Sequence, residues 1–572
     1  MGPIAARGWL GTERLLLAAT VVIVGYLAVT PVAFLLYGSV QPDFLMRKGG
    51  FTLAHYAHAY TDREFYRLLM NSVGYAVGVC VLTFVLGAAL AWICERTNTP
   101  GRRFFAPLAV MTYIIPGVLT TIAWILLLSP RIGLINTLLV QLFGLAEPPL
   151  SIYNRWGMIW AASIHLYPLS FLLMSAAFRS LDPALEEAAW TSGAGPLTCL
   201  RRVTASLMRP AILSSLLILF IRGIESFEVP ALIGIPAGIP VFTTKIYEAT
   251  HQFPPALGLA GATASILLAI SVAGAYLYQR LTGEQEKFAT ITGRAYRPRP
   301  IDLGRWKYVA SAACTLFFLV TLVLPLLSLV FISFSPYMTA LSLDALRHWS
   351  LSEYRFVLGY PIIARAFRNS LFLAVASATL VMLLTSVIAW ITVRSRARGR
   401  WILDALTFVP IAVPGVIMGV SLIFVYLTLP IPIYGTLWIL LVAYLTLYLP
   451  YGIRFASASM IQIHRELEEA SVVSGASWLQ AFGRIVLPLL LPGFLAGASY
   501  IAIISFRELS ASIFLVGQGT EVLSTVVFAL WDAGNTTAVA ALGVLMTLFL
   551  VVAVFAVQAW QRSLGILRAA SR

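Results

Sequence analysis

The sequence predicts an all-α polytopic membrane protein with about twelve transmembrane helices in two tandem six-helix repeats. Hydrophobic residues make up 59% of the 572 residues and charged residues only 11%, whereas soluble globular proteins carry roughly 25% charged residues. Apolar runs of about twenty residues recur along the chain, which is the length that a helix needs to cross the hydrocarbon core of a bilayer. Gly and Pro inside these runs favour helices in lipid, because a transmembrane β-barrel would show alternating segments of about ten residues instead.

The apolar runs place six spans in each half of the chain. In the first half, spans 1 to 6 are predicted near residues 15–38, 70–94, 104–128, 156–178, 210–233 and 257–279. In the second half, they are predicted near residues 307–333, 367–391, 402–428, 434–456, 492–515 and 538–560. The predicted domains are a first repeat over residues 1–280, a cytoplasmic linker over 281–306 and a second repeat over 307–572.

Basic residues in short loops predict the orientation in the membrane, because Lys and Arg are enriched in cytoplasmic loops. The basic loops are ERTNTPGRR (95–103), RRVTASLMR (201–209) and VRSRARGR (393–400), together with the linker and the C-terminal segment 561–572. They alternate with the spans so that all share one side, which predicts that both termini are cytoplasmic. This topology accounts for most of the formal net charge of +15, and no nucleic-acid partner is expected.

The two halves are similar in sequence. ALAWICERTNTPGRRFFAPLAVMTYIIPGV (89–118) aligns with VIAWITVRSRARGRWILDALTFVPIAVPGV (387–416) at a shift of 298 residues, which matches Trp92 to Trp390. The Asn-Ser pair at 71–72 recurs at 369–370 with the same shift. Because both halves have the same predicted orientation, they are parallel repeats about an axis along the membrane normal. That architecture suits a central pathway between the halves.

A short acidic phrase is also duplicated, in the cytoplasmic loop between spans 4 and 5 of each half. EEAAWTSGAG (186–195) and EEASVVSGAS (468–477) are identical at six of ten positions, at a shift of 282 residues. Asp182-Pro183 predicts a helix N-terminus, and Gly193 and Gly475 predict helix C-caps. Each copy is therefore predicted to form a short helix, a glycine turn and a second helix. A duplicated surface on one face suits a duplicated partner.

This phrase resembles the EAA motif of permease subunits of binding-protein-dependent ABC importers, which is EAA, three residues, Gly, nine residues and Ile-x-Leu-Pro. The second copy departs from the motif only at Ser471, whereas in the first copy Val203-Thr204-Ala205-Ser206 replaces Ile-x-Leu-Pro. With the span count, the resemblance covers nearly the whole chain. It implies that loops 180–209 and 457–491 couple the permease to an ATP-binding subunit. The implied coupling residues are Glu186, Glu187, Ala188, Ala189, Gly193, Glu468, Glu469, Ala470 and Gly475.

The chain itself lacks the phosphate-binding loop G-x-x-x-x-G-K-[ST], and none of its four lysines follows a glycine. A chain without this loop is not expected to bind and hydrolyse ATP. The six histidines are scattered and no catalytic triad is present. We therefore expect no catalytic residues and no cofactor on this chain, with ATP and Mg on a partner ATPase dimer. Metal ligands stay unassigned from the sequence.

Charged residues inside the predicted fifth spans mark a candidate pathway, because a charge at membrane depth is costly and is usually functional. They are Arg222, Glu225 and Glu228 in the first half and Arg507 and Glu508 in the second. Residues 222, 225 and 228 recur every three positions and are predicted to share one broad helical face. We interpret the five as lining a translocation pathway; the alternative is that they only hold the halves together.

A second candidate set lies in the fourth spans. It comprises His165, Tyr167 and Pro168 in the first half, facing Tyr448 and Pro450 in the second. A single histidine among aromatic residues in a packed bundle is also compatible with a purely structural role.

Among ABC importer permeases, the fused twelve-span form with VPALIGIP, IYE, RELSAS and GTEVLSTVVFALWDAG resembles the ferric-iron permeases. The resemblance implies passage of Fe³⁺, delivered by a periplasmic binding protein, across the bacterial inner membrane. Carboxylates suit a hard cation, whereas Arg222 and Arg507 would suit an anion. Thiamine, phosphonate, sugar phosphate and polyamine transport, which occur in the same permease group, therefore remain open.

Two other classes of function are compatible with part of the sequence. A secondary transporter driven by an ion gradient would also carry buried carboxylates, but it gives no reason for two EAA-like loops. A membrane scaffold or receptor would carry no transport activity. A separate ATPase partner and ATP-dependent uptake distinguish the importer from both alternatives.

Overall fold

The computed structural model describes residues 3–44, 50–61, 63–131, 133–181, 183–288, 300–338, 346–395 and 397–563. In these ranges the ordered elements are helices, and the β-structure is confined to isolated bridges, one of which joins Thr97 and Ile301. The predicted fold class is confirmed. Asp182, the central part of the linker (289–299) and the last residues (564–572), on which three of the predictions partly rest, lie outside the described residues.

Nine helices in the described ranges are long and apolar enough to cross a membrane, and three bent helix pairs raise this number to twelve. The nine helices are Pro3–Ser39, Arg63–Arg96, Arg155–Ser180, Leu257–Phe288, Trp306–Ser333, Pro361–Val393, Leu437–Gln462, Trp478–Phe506 and Thr536–Ser563. They correspond to spans 1, 2, 4 and 6 of both halves and to span 5 of the second half. The predicted division of the chain into 1–280, 281–306 and 307–572 stays a prediction.

Span 3 of each half is broken, whereas the sequence predicted continuous spans over 104–128 and 402–428. In the first half, Arg102–Thr112 and Gly117–Leu128 meet at 101°, and in the second half Arg400–Ala412 and Gly415–Thr428 meet at 108°. Each break lies at a Pro-Gly pair. Proline has no N–H to donate and disfavours helical geometry in the preceding residue, so a helix cannot run straight through it.

Span 5 also differs from its prediction, because its helices end early. The predicted spans ran to residues 233 and 515, but the helices end at Ile224 and Phe506. In the first half the span is bent by 70° between Leu200–Leu207 and Arg209–Ile224, whereas in the second half it is one continuous helix. The chain beyond each end turns back into shorter elements inside the protein.

Shorter helices connect the spans. They are Ala54–Thr61, Leu134–Phe143, Pro183–Thr191, Pro196–Cys199, Phe242–His251, Ser352–Gly359, Arg465–Val473, Ser512–Leu515 and Leu523–Asp532. The duplicated Asn-Ser pair organises two of them. The Ser72 hydroxyl accepts a hydrogen bond from the N–H of Phe242 at 2.9 Å, and the Ser370 hydroxyl does the same for Leu523 at 2.9 Å. The sequence repeat is therefore accompanied by the same hydrogen bond at the equivalent place in each half.

The first span of each half packs against the third span of the other half. Span 1 of the first half packs on the broken span 3 of the second half, where Tyr26 and Tyr426 share a hydroxyl–hydroxyl hydrogen bond of 2.9 Å. Span 1 of the second half packs in the same way on span 3 of the first, and the Ser328 hydroxyl reaches the Ala123 carbonyl at 3.5 Å. Spans 2, 4 and 5 of each half pack together next to the boundary between the halves.

Candidate functional site

A cavity of about 230 Å³ lies between the two halves, at the ends of the fifth spans. Both halves contribute to its walls. Its lining residues are Tyr113, Ala162, His165, Leu166, Arg222, Glu225, Ser226, Phe227, Glu228, Val229, Pro410, Ile411, Val413, Gly415, Leu447, Tyr448, Tyr451, Glu508 and Ser510. Four of the five charged residues singled out in the sequence are among them.

Arg222 and Glu225 form an ion pair in the wall of this cavity. Arg222 Nη1 lies 2.5 Å from Glu225 Oε1, and Arg222 Nη2 also donates a hydrogen bond to the Tyr451 hydroxyl of the other half. The predicted common helical face for residues 222, 225 and 228 is wrong, because the helix ends at Ile224 and Glu225 is already its C-cap. The side chains of residues 222, 225 and 228 still line the same cavity, because the chain turns after the helix ends.

Glu228 lies over the Pro-Gly break in span 3 of its own half. A Cβ atom on Gly117 would collide with Glu228 Oε2 and would lie 3.1 Å from His165 Nε2, so the carboxylate, the imidazole and this glycine are close neighbours. The His165 ring stacks on Tyr113, with ring centroids 5.8 Å apart. His165 therefore belongs to the cavity wall, whereas Tyr167 donates its hydrogen bond to Thr112 at 2.9 Å and is not a lining residue.

Glu508 supplies the carboxylate of the second half. Its oxygens accept hydrogen bonds from the N–H of Ala511 at 2.8 Å, the N–H of Ser512 at 3.0 Å and the hydroxyl of Ser512 at 2.5 Å. These are the free donors at the start of the short helix Ser512–Leu515, and a carboxylate is a favourable acceptor there. Glu508 thus holds the local backbone and faces the cavity as well.

Arg507 supports the cavity from behind rather than lining it. It is buried, and its guanidinium donates hydrogen bonds to the carbonyls of Tyr113 and Ile115, the latter at 3.4 Å. The same group lies 4.3 Å from the centroid of the Tyr113 ring, in cation–π geometry. Since Tyr113 belongs to the first half, Arg507 crosses the boundary between the halves in the direction opposite to Arg222.

The two halves share their backbone arrangement around the cavity but not their charges. The Thr243 hydroxyl donates to the Ser226 carbonyl at 2.8 Å, and the Ser524 hydroxyl donates to the carbonyl of Glu508, which aligns with Ser226. The first half carries its carboxylate two residues further on, at Glu228, where the second half has Ser510. The cavity is therefore asymmetric within a symmetric frame.

A second cavity, of about 700 Å³, lies beside the first. Ile411 and Val413, at the break in span 3 of the second half, line both cavities. The second cavity also contacts Asp404 and Arg454 of the second half and Gln279 of the first. Its lining residues come again from both halves.

The duplicated loops fold as the sequence predicts, with a short helix that ends at a glycine. We call Pro183–Thr191 and Arg465–Val473 the two EAA helices. Gly193 and Gly475 have φ angles of +85° and +82°. The N–H of the residue after each glycine bonds back into the helix, from Ala194 to the Ala189 carbonyl at 3.0 Å in the first copy, which is a Schellman-type C-cap.

The predicted coupling residues divide into exposed and buried groups. The exposed group includes Glu187, Glu469, Ala188 and Ala470, and it forms one face of each EAA helix. The first glutamates of the two phrases, Glu186 and Glu468, are buried, with 3% and 8% of their surface exposed.

Sequence reasoning missed one leucine on each exposed face. Leu185 and Leu467 are 48% and 46% exposed, and they align with each other at the shift of 282 residues. A leucine immediately before each EE pair was the signal that could have identified them. Each EAA helix thus presents an apolar residue beside a carboxylate.

Comparison with known families matches the same two regions. A sequence model of the family described as "Binding-protein-dependent transport system inner membrane component" matches residues 68–283 and 381–565, one stretch in each half. The chain belongs to this family. It is a multi-pass membrane permease of an ABC importer and a transporter subunit rather than an enzyme. Such permeases work with an ATPase and a substrate-binding protein.

The sequence identity to individual members of the family is low. The permease is 27% identical over 470 residues to the "Ferric transport system permease protein FbpB" of Actinobacillus pleuropneumoniae, covering 80% of this chain and 65% of that protein. It is 27% identical over 476 residues to the "Putative ferric transport system permease protein FbpB 1" of Haemophilus influenzae, covering 81% and 72%. It is 27% identical over 205 residues to the "Spermidine/putrescine transport system permease protein PotC" of Escherichia coli (strain K12), covering 36% and 77%.

The described end of the linker pairs with the chain after span 2 and lies across a cavity from the first EAA helix of the permease. Ile301 pairs with the backbone after span 2, donating to the Arg96 carbonyl at 2.7 Å and accepting from the Asn98 N–H at 3.1 Å. The hydrogen bonds from the Gly304 N–H and the Asn98 amide hold the pKa of the Asp302 carboxyl below its usual value. Between this segment and the first EAA helix lies a cavity of about 770 Å³, which both Glu187 and Asp302 line.

Among the residues that the structure describes, no group of three or more His, Cys, Asp and Glu side chains is arranged to hold a metal ion. The three cavity carboxylates thus lie around one space without forming a closed ligand set.

Proposed function

We propose that this permease passes ferric iron, delivered by a periplasmic binding protein, through the cavity between its halves. The observation that carries the proposal is the convergence of Glu225, Glu228 and Glu508, from both halves, on one central space. Carboxylate oxygens are hard ligands that suit small, highly charged cations. The two relatives named for ferric transport match about four fifths of the chain, whereas the polyamine relative matches 36% of it.

The second cavity supports a route away from the centre. A cation released from the carboxylates would pass the apolar side chains of Ile411 and Val413 and reach the space beside Asp404. Arg222 and Arg507 are engaged with Glu225, Tyr451 and the Tyr113 carbonyl, so their charge is used in contacts between residues of the protein. Glu225 is paired with Arg222 and Glu508 accepts three hydrogen bonds. We therefore assign the direct contact with the substrate to Glu228, and the other two carboxylates add negative charge to the same cavity.

Reconstitution into proteoliposomes with the ATPase and the binding protein tests this assignment. We expect Glu228→Gln to lower ATP-dependent uptake of radiolabelled iron about tenfold, which corresponds to about 1.4 kcal/mol at the limiting barrier. Glu147→Gln, a carboxylate in an exposed loop that does not line the cavity, is the control and should leave uptake unchanged. Wild-type uptake in a Glu228→Gln, Glu508→Gln double variant would disprove the carboxylate pathway. Iron uptake that needs an ion gradient but not ATP would favour a secondary transporter.

A polyamine is the second candidate substrate, because the same three carboxylates also suit a chain of ammonium groups. The match to the spermidine/putrescine permease favours this class to a smaller extent. Competition distinguishes the candidates: excess spermidine should not reduce iron uptake if iron is the substrate. Thiamine, phosphonate and sugar phosphate belong in the same competition series.

We further propose that ATP, with Mg²⁺, is bound and hydrolysed by a separate dimer of ATP-binding subunits that docks on the two EAA helices. The support is the matched pair of exposed faces, each with a leucine and a glutamate. Glu187→Lys combined with Glu469→Lys is expected to abolish co-purification of the ATPase. Glu147→Lys, in an exposed loop predicted on the outer side, is the control. Retained association together with retained ATP-dependent uptake would contradict this docking.

The proposed orientation places both termini and both EAA helices in the cytoplasm. The four native cysteines are buried, so a single introduced cysteine can report its own side. In intact spheroplasts, a membrane-impermeant maleimide should label Glu147→Cys, and it should label Ser192→Cys only after permeabilisation. The reverse pattern would invert the topology.

A further inference from the structure

Each EAA helix is joined to the cytoplasmic end of span 2 by a buried ion pair. In the first half, Arg96 is the last residue of span 2, and it pairs with Glu186 through Nη2 and Oε2. The two side chains are only 1% and 4% exposed. The other carboxylate oxygen of Glu186 accepts a hydrogen bond from the Thr204 hydroxyl at 2.6 Å. Glu186 therefore faces its own chain.

The second half contains the equivalent pair. Arg394 directly follows span 2, and its Nε lies 3.4 Å from Glu468 Oε1, with the side chains 8% and 11% exposed. The Trp390 indole donates to Glu468 Oε2 at 2.8 Å. Arg394 aligns with Arg96 at the shift of 298 residues, and Glu468 aligns with Glu186 at the shift of 282. The ion pair is therefore present in both halves. The other hydrogen-bond donor to the carboxylate differs, being Thr204 in the first half and Trp390 in the second.

Stability alone is a weak reason for such pairs. Removing two charges from water commonly costs as much as their attraction returns, and apolar replacements of similar size are often equally stable. The pairs nevertheless occur at both equivalent places, each under the helix that carries the proposed docking face. The adjacent Glu187 and Glu469 are exposed, so each EE phrase has one glutamate directed inward and one directed outward.

The inward glutamate contacts two elements that lead to the central cavity. Arg96 ends span 2, whose Tyr75 hydroxyl donates to Ser226 in the cavity wall at 3.2 Å. Thr204 lies in Leu200–Leu207, the first segment of the bent span 5, and the second segment carries Arg222 near its end. A displacement of the first EAA helix would therefore act on both spans through the Glu186 carboxylate.

We propose that Arg96–Glu186 and Arg394–Glu468 are positioning pairs that transmit movement of each EAA helix to span 2 of the same half, and in the first half to span 5 through Thr204. The proposal rests on the proposed function, in which the ATPase docks on these helices. The four residues act through the helices they connect and do not touch the substrate. Each half has its own pair, so each can be disabled separately.

The test uses the reconstituted importer with Glu186→Gln, Glu468→Gln and both together. Glutamine keeps the size of the side chain and removes the charge that pairs with arginine. We expect the ATPase to co-purify as with wild type, and the amount of substrate transported per ATP hydrolysed to fall about tenfold in the double variant, within the range of mutations that alter coupling between sites. Glu187→Gln and Glu469→Gln are matched controls one residue away, which should weaken ATPase binding without lowering this ratio.

A wild-type ratio of transport to hydrolysis in the double glutamine variant, with the ATPase bound, overturns the proposal. Loss of ATPase binding from that variant also overturns it, because the inward glutamates would then serve docking. Failure of the wild-type chain to bind an ATPase is a separate result, which would remove the proposed function itself.

A milder variant keeps the proposal testable if the glutamine variants are unstable in the membrane. Thr204→Val copies the residue that the second half has at this position, Val486. It removes one hydrogen bond to Glu186 and leaves the ion pair in place. We expect the ratio of transport to hydrolysis to fall about twofold. An unchanged ratio would show that Glu186 does not act through span 5.

Discussion

At the scale of single residues, the cavity depends on glycines that leave room for carboxylates. Gly117 begins the second segment of span 3 directly beneath Glu228, and Gly415 occupies the matching place near Glu508 Oε1 and Ser510. A larger residue at either position would occupy space that the carboxylate-bearing turn now uses. These Pro-Gly pairs therefore break the helix and also admit the charged groups.

Gly117→Ala is expected to displace the Glu228 carboxylate, because the new Cβ would collide with Glu228 Oε2. The end of a glutamate side chain can move, so we expect the protein to fold and substrate uptake to fall about as far as in Glu228→Gln, roughly tenfold. Uptake into proteoliposomes is the measurement. Gly74→Ala, where no atom lies within 4 Å of the new Cβ, is the control. Normal uptake by Gly117→Ala would mean that the position of Glu228 does not limit transport.

At the scale of elements, each EAA helix depends on the glycine that ends it. Gly193 and Gly475 adopt nearly the same left-handed geometry, and a Cβ on either would meet no atom within 4 Å. Glycine is therefore required at these positions because of the left-handed backbone, and not because a side chain would collide with a neighbour. The turn redirects the chain from the EAA helix into the segment that leads to span 5.

Gly193→Ala and Gly475→Ala should each destabilise the local turn by about 1–2 kcal/mol, the cost of left-handed geometry for a residue with a Cβ. Since the turn sets the angle of the EAA helix, we expect weaker ATPase binding and faster limited proteolysis of the loop. Gly195→Ala, in equally open space and without a positive φ, is the matched control. Equal affinity of all three variants for the ATPase would show that the turn does not orient the helix.

At the scale of the whole molecule, the two halves form one interlocked body. Span 1 of each half lies against span 3 of the other, and the halves exchange contacts at the centre through Arg222 to Tyr451 and Arg507 to Tyr113. The residues that make these contacts are far apart in the sequence. The linker is therefore not what holds the halves together in the membrane.

Cutting the chain within residues 281–299 and expressing both parts together should still produce a complex. We expect an affinity tag on one half to recover the other in detergent, and uptake to remain within about twofold of wild type, since the packing between the halves is intact. Each half expressed alone is the control and should show no uptake. Recovery of the tagged half without its partner would contradict the interlocked arrangement.

Particular residues show where prediction from the sequence succeeded. The shift of 298 residues predicted matched helices, and the contacts of Ser72 and Ser370 repeat. Gly193 and Gly475 were predicted as C-caps because glycine has little competition at positive φ. Glu225 and Glu228 line one cavity, although the helical face proposed for them was wrong, and their role in a translocation pathway stays a prediction.

The sequence by itself determined the helical class, the duplication, the two glycine turns and the presence of charge at membrane depth, since each follows from local composition or periodicity. Only the tertiary structure decided that span 3 is broken, that Glu186 and Glu468 face inward while their neighbours face outward, and that Arg507 lies behind the cavity. The physical reason is that local sequence specifies the propensity of each segment. Which side of a helix is covered, and by which half, depends on packing between residues hundreds of positions apart.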